Sequence, residues 1–161
     1  MAKFKRARIQ DPITEPLIKP LRVVVIEDFP PLLRLYLKEL KKVTGIQVEP
    51  SSTVESIEGA LNIFERAVPD IVITDLSLTE GRTEGFDILK IVKAKSPSTT
   101  VILTSSAYDP SSNDPFAQEI RSHGFDAVFP KLDHPLKDES PPKPRIEHLK
   151  NYLGRMNSGI H

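Results

Sequence analysis

Cysteine is absent from the 161-residue chain. Its absence removes disulfides, thiolate metal sites, iron–sulfur clusters and thiol nucleophiles together, and suits a reducing compartment. A charge imbalance is missing too: 22 Lys plus Arg offset 22 Asp plus Glu, so no global field draws the chain to nucleic acid, an anionic membrane or an acidic partner. No apolar run approaches the roughly 18 residues of a bilayer span, and MAKFKRARIQ lacks the following apolar segment of a signal peptide, so a cytoplasmic protein is expected. Neither G-x-x-x-x-G-K-[ST] nor G-x-G-x-x-G occurs, which disfavours P-loop nucleotides and dinucleotides. The 4 histidines (123, 134, 148 and 161) lack ligand spacing and are expected to face solvent.

What is present is enough apolar residue, 39%, for one compact domain. Residues 1–20 carry Lys3, Lys5, Arg6, Arg8 and three prolines without an apolar period, and read as a flexible basic arm. A domain is expected over 21–157. LRVVVIED is a near-continuous β-branched run, the pattern of a parallel strand buried on both faces. The leucine-rich FPPLLRLYLKELKKVTG then forms a helix, entered at Pro30 and Pro31 and followed by Gly45. IQVEP reads as a short edge strand closed by Pro50, and STVESIEGALNIFERAVP as a helix capped from Ser52 or Thr53. Three further strands (DIVITDLSL, STTVILTSSA and DAVFPK) alternate with helices over FDILKIVKAKS and SSNDPFAQEIRSHG. A Pro-rich loop over 132–144 precedes a last helix, RIEHLKNYLGRM. Such alternation implies right-handed crossovers and an α/β doubly wound parallel sheet, with ligands outside the carboxyl ends of its strands.

Those ends carry Glu27 and Asp28, then Asp75, then Thr104 and Ser105, then Lys131. Singly each has an ordinary reading, since a lysine is usually on the surface and a threonine often caps a strand. Together they form a chemistry. Clustered carboxylates repel unless they share a cation, and Mg²⁺ takes oxygen ligands from one or two carboxylates plus phosphate. Asp28 and Asp75 would be ligands, with Glu27 acting through water and the Ser77 backbone carbonyl completing the set. A phosphoryl group there would meet the charge of Lys131 and the hydroxyl of Thr104, with Asp75 as the nucleophile that forms an acyl phosphate. DLSLTEG is a poor calcium loop, because Gly81 comes one place late and Phe86 replaces the terminal glutamate.

In this order VVVIEDFPP, IVITDLSL, VILTSSA and AVFPK resemble the motifs of the receiver domains of two-component response regulators, over residues 21–131. The resemblance implies a (βα)5 flavodoxin-like fold with strand order 2-1-3-4-5. It implies a Mg²⁺-dependent phosphoacceptor, Asp75, that takes a phosphoryl group from a sensor histidine kinase or a histidine phosphotransfer protein. It also implies Glu27 and Asp28 at the metal, Thr104 as switch hydroxyl and Lys131 on the phosphate. The chain departs from the family where Val128 replaces the usual aromatic three places before the lysine, and where Phe129 takes a normally aliphatic position.

The leading expectation is a stand-alone regulator or phosphorelay intermediate, not an enzyme, that signals through contacts with a downstream protein or a second copy and does not bind DNA directly. A receiver fold used as an interaction module without phosphorylation is the alternative. A haloacid-dehalogenase-type phosphatase fits worse: DLSLT places Ser77 where D-x-D-x-T needs its second aspartate.

Overall fold

The computed structural model describes residues 19–54, 57–78, 84–131 and 146–158, with backbone only at 49–54 and 57. Residues 1–18 of the expected arm and the Pro-rich loop 132–144 lie outside them. Strands and helices alternate as β1 (Leu21–Ile26), α1 (Pro30–Leu40), β2 (Ile46–Val54), α2 (Ile57–Arg66), β3 (Ile71–Asp75), α3 (Glu84–Lys95), β4 (Thr100–Ser105), α4 (Pro115–Ser122), β5 (Ala127–Pro130) and α5 (Ile146–Asn157). The five strands form one parallel sheet in the order β2-β1-β3-β4-β5, the expected doubly wound arrangement.

Side chains of a strand alternate between its faces, and here the alternation sorts the core into two layers. Val23, Val25, Ile71, Ile73 and Ile102 pack against Leu33, Tyr36 and Leu40 of α1 and Leu149 and Leu153 of α5. Their neighbours Val24, Ile26, Val72 and Val101 pack on the other face against Ala60 and Phe64 of α2 and Ile88, Leu89 and Val92 of α3. A third cluster, with Leu103, Phe86, Ala117 and Ile120, seats α4. The helix ends follow the sequence signals. Pro30 opens α1, the Asp114 carboxylate accepts from the Ala117 N–H at 2.8 Å to cap α4, and Gly45 (φ +78°) and Gly124 (φ +87°) take the left-handed turns that follow α1 and α4.

β2 departs from expectation. It runs on through Pro50 to Val54, so Ser52 and Thr53 belong to the strand and do not cap α2, which starts at Ile57. The register explains how: Val23 pairs with Val48, but Val25 pairs with Thr53, so residues 49–52 form an irregularity opposite Val24 alone. An edge strand tolerates a proline at such a bulge, because no neighbour needs its missing N–H. Val25 and Ile26 then recover partners in Thr53 and Val54.

Candidate functional site

The two-residue alternation that builds the core also builds the site. Glu27 follows Val23 and Val25, Asp75 follows Ile71 and Ile73, Thr104 follows Ile102, and Lys131 follows Ala127 and Phe129, all residues of the layer under α1 and α5. These four side chains therefore stand at the carboxyl ends of their strands on the α1/α5 side, and the pairing of Asp75 with Thr104 brings β3 and β4 level there.

Lys131 joins the carboxylates. Its Nζ lies 2.5 Å from Asp75 Oδ2 and 2.7 Å from Glu27 Oε2. All three residues are buried, Glu27 most completely at 1% exposure, whereas Asp28 is exposed. Asp75 Oδ1 accepts the Leu76 N–H at 2.6 Å, and Glu27 Oε1 accepts the Phe29 N–H at 3.2 Å. Glu27 Oε2 has no further hydrogen-bond partner beside its ion pair with Lys131. Carboxylate oxygens of Glu27, Asp28 and Asp75 lie within 4.8 Å of one another. Burial pushes the Asp75 carboxyl above its ordinary 3.8, against the opposing pull of the Lys131 ammonium and the Leu76 and Ser77 N–H groups. Glu27 is likewise raised above 4.5, first by burial and also by the charge of Asp75, with Lys131 and the Phe29 N–H opposing. Two buried carboxylates thus share one ammonium with an exposed third beside them, and a hard cation relieves the excess charge. The oxygen-only donor set and the under-satisfied Glu27 oxygen fit Mg²⁺.

Thr104 differs from the simplest expectation of a hydroxyl aimed at the phosphate. It is buried at 2% exposure, its Oγ1 lies 3.4 Å from the Thr74 carbonyl oxygen, and the phenol of Tyr36 is its neighbour. Tyr36 is itself 3% exposed, and burial drives its phenol further above the ordinary 10, with the Glu27 and Asp75 charges adding to that shift. Sequence reasoning placed Tyr36 only in the apolar stripe of α1. It also passed over Gly85: a Cβ there would come within 2.6 Å of the Asp75 carbonyl oxygen and 2.9 Å of Leu76 Cα. The Gly85 N–H donates to the Leu76 carbonyl at 3.0 Å, so α3 starts directly against the strand end that carries Asp75. Glu84 secures the same junction, its Oε2 accepting the Leu78 N–H at 3.0 Å.

Other expectations resolve around the site. Val128 packs with the α4-side cluster, away from Thr104, and the Phe129 ring meets Tyr152 of α5 edge-on at 5.6 Å. His123 is half-buried instead of solvent-facing, because its ring stacks on Phe86 at 3.7 Å; His148 is exposed. Beside Lys131 an open hollow of about 380 Å³ is lined by Glu27, Asp28, Phe29, Leu35 and Ser106, among others.

This strand-end acidic cluster with its lysine, on a five-stranded 2-1-3-4-5 sheet, is the architecture of a signalling receiver. The chain belongs to the response regulator receiver domain family, whose profile matches residues 23–132. Among solved structures, the BeF3-activated DrrB receiver domain aligns at TM-score 0.62 and 21% identity, over 86% of this chain and 98% of that one. The signal receiver domain of NarL from Mycobacterium tuberculosis aligns at TM-score 0.59 and 16% identity, over 88% and 95%. RcsB from Salmonella enterica serovar Typhimurium, bound to a promoter, aligns at TM-score 0.62 and 19% identity; 86% of this chain is covered, but it spans only 60% of the RcsB chain. At these identities the likeness is one of fold. No curated protein sequence gives a significant match. Receiver domains take a phosphoryl group from a kinase or other phosphodonor and typically bind Mg²⁺ at an acidic pocket. Among the described residues, no helix is long and apolar enough to cross a membrane.

Proposed function

We propose that Asp75 accepts a phosphoryl group from a phosphohistidine, on a sensor histidine kinase or a histidine phosphotransfer protein, in a Mg²⁺-dependent step. The observation that carries this reading is the Lys131 ammonium within 2.7 Å of both Asp75 and Glu27. A lysine in that position can follow the charge as it moves from carboxylate to phosphoryl oxygen.

In the transfer, an Asp75 carboxylate oxygen attacks phosphorus. The new O–P bond forms as the P–N bond breaks, and the imidazole keeps the electron pair and is protonated by water. Glu27, Asp28 and Asp75, with the Ser77 carbonyl, would hold Mg²⁺, which neutralises phosphoryl charge when bound. Lys131 stabilises one phosphoryl oxygen, and Thr104 donates to another once its hydroxyl turns toward the site. The hollow beside Lys131, walled by Phe29, Pro31, Leu32 and Leu35, gives the donor protein an apolar approach. The protein is an acceptor and relay, not a turnover enzyme, and passes its state on through protein contacts in the cytoplasm.

The test is transfer of radiolabel from a phosphorylated histidine phosphotransfer protein. Label should appear on the wild type with Mg²⁺, disappear with EDTA, and be absent from Asp75→Asn. Label retained on Asp75→Asn contradicts the assignment. The second reading, an interaction module indifferent to phosphorylation, draws on Val128, which leaves β5 without an aromatic facing α4. It predicts no stable label on any variant.

A further inference from the structure

Lys3, Lys5, Arg6 and Arg8 play no part in the phosphoacceptor chemistry, and the fold sets a second group of cations beside the point where their segment joins the domain. Arg34, Lys38 and Lys41 follow one another at spacings of four and three, so they share one face of α1 and its C-cap over about 10 Å. All three are exposed, and no ion pair engages them among the described residues. The one acid of α1, Glu39, is taken up by Lys42 at 2.6 Å and by Lys150 of α5 at 3.2 Å. The Leu21 N–H donates to the Gly45 carbonyl at 2.9 Å, and Leu21 pairs with Ile46. The chain therefore enters β1 against the turn that follows Lys41 and Lys42, with Lys19 exposed just before it.

We propose that this face of α1 and the basic N-terminal segment together bind an anionic phospholipid surface. The chain carries no net charge, so its cations are segregated to one side and not in excess overall. MAKFKRARI, residues 1–9, holds four cations, no acid, and the apolar Phe4 and Ile9. The residues that join it to Pro20 tether it within roughly 40 Å of the end of α1. Cations spread along a convex helix face suit a plane of anionic headgroups, to which each Lys or Arg near the surface adds affinity. Phe4 and Ile9 favour lipid over other polyanions: a membrane offers them its acyl boundary, whereas duplex DNA answers only the charges. The association is peripheral and does not depend on the phosphoacceptor reading of Asp75.

The test is sedimentation of the full chain with phosphatidylcholine vesicles that contain or lack phosphatidylserine. The wild type should pellet only with the phosphatidylserine vesicles and be released as salt rises. Arg34→Gln, Lys38→Gln and Lys41→Gln combined should lower the partition coefficient roughly a hundredfold. The charge-preserving set Arg34→Lys, Lys38→Arg and Lys41→Arg should bind as the wild type does, which separates lost charge from lost fold. Failure of the wild type to bind, undiminished binding by the glutamine variant, or equal loss in the charge-preserving set overturns the proposal. Phe4→Ser should weaken vesicle binding while leaving any binding to random-sequence duplex DNA unchanged. Wild-type vesicle binding by Phe4→Ser would make the surface a general polyanion site and overturn the lipid assignment.

Discussion

Lys131 stands between two buried acids, and removing either side of that contact has opposite consequences. Lys131→Met leaves Glu27 and Asp75 facing each other without a cation. Breaking a buried ion pair from one side costs about 3 kcal/mol, so this variant should unfold at markedly lower denaturant near neutral pH. Asp75→Asn removes an excess charge and should raise the melting temperature there. The pH dependence follows from the raised carboxyls. The folded protein holds their protons to higher pH than the unfolded chain, so their contribution to stability falls as pH rises from the ordinary 3.8 and 4.5 through the raised values, and is flat above. The advantage of Asp75→Asn should therefore be present at neutral pH and vanish below about pH 4, as thermal unfolding across pH will report. Asp75, Glu27 and Lys131 were legible in the sequence because polar groups at the ends of apolar strands stand out. Tyr36 was not: in a helical stripe of leucines a buried phenol looks like one more apolar residue until the fold sets Thr104 against it.

Between strand and helix, the junction of β3 and α3 decides how Asp75 is presented. A Cβ at residue 85 would lie 2.6 Å from the Asp75 carbonyl oxygen, and backbone cannot move aside as a flexible side chain can. Gly85→Ala should then cost about 1–3 kcal/mol by overpacking and slow phosphorylation of Asp75, because the displaced atoms belong to the acceptor itself. Unaltered stability and phosphorylation rate in this variant would contradict that view. Nothing in the sequence singles out Gly85, since close approach of two backbones leaves no periodic signature. The overrun of β2 was hidden for a related reason. Pro50 reads locally as a stop, and only the pairing of Val25 and Ile26 with Thr53 and Val54 carries the strand past it.

Across the whole molecule, topology was the most legible property, because five apolar runs alternating with helical stripes leave few arrangements other than a parallel doubly wound sheet. The layer each strand end joins follows from counting by two along each strand, so one sheet face gathers acids, hydroxyl and lysine under α1 and α5. What the sequence could not supply was the distances: that Lys131 lies within bonding range of both acids, and that Thr104 turns inward. The account as a whole stands on Asp75 as a phosphoacceptor. Its most direct test is the intact mass of the protein after incubation with acetyl phosphate and Mg²⁺. One labile phosphate on the wild type, absent without Mg²⁺ and absent from Asp75→Asn, is the predicted result; no adduct on the wild type, or the same adduct on Asp75→Asn, would contradict it.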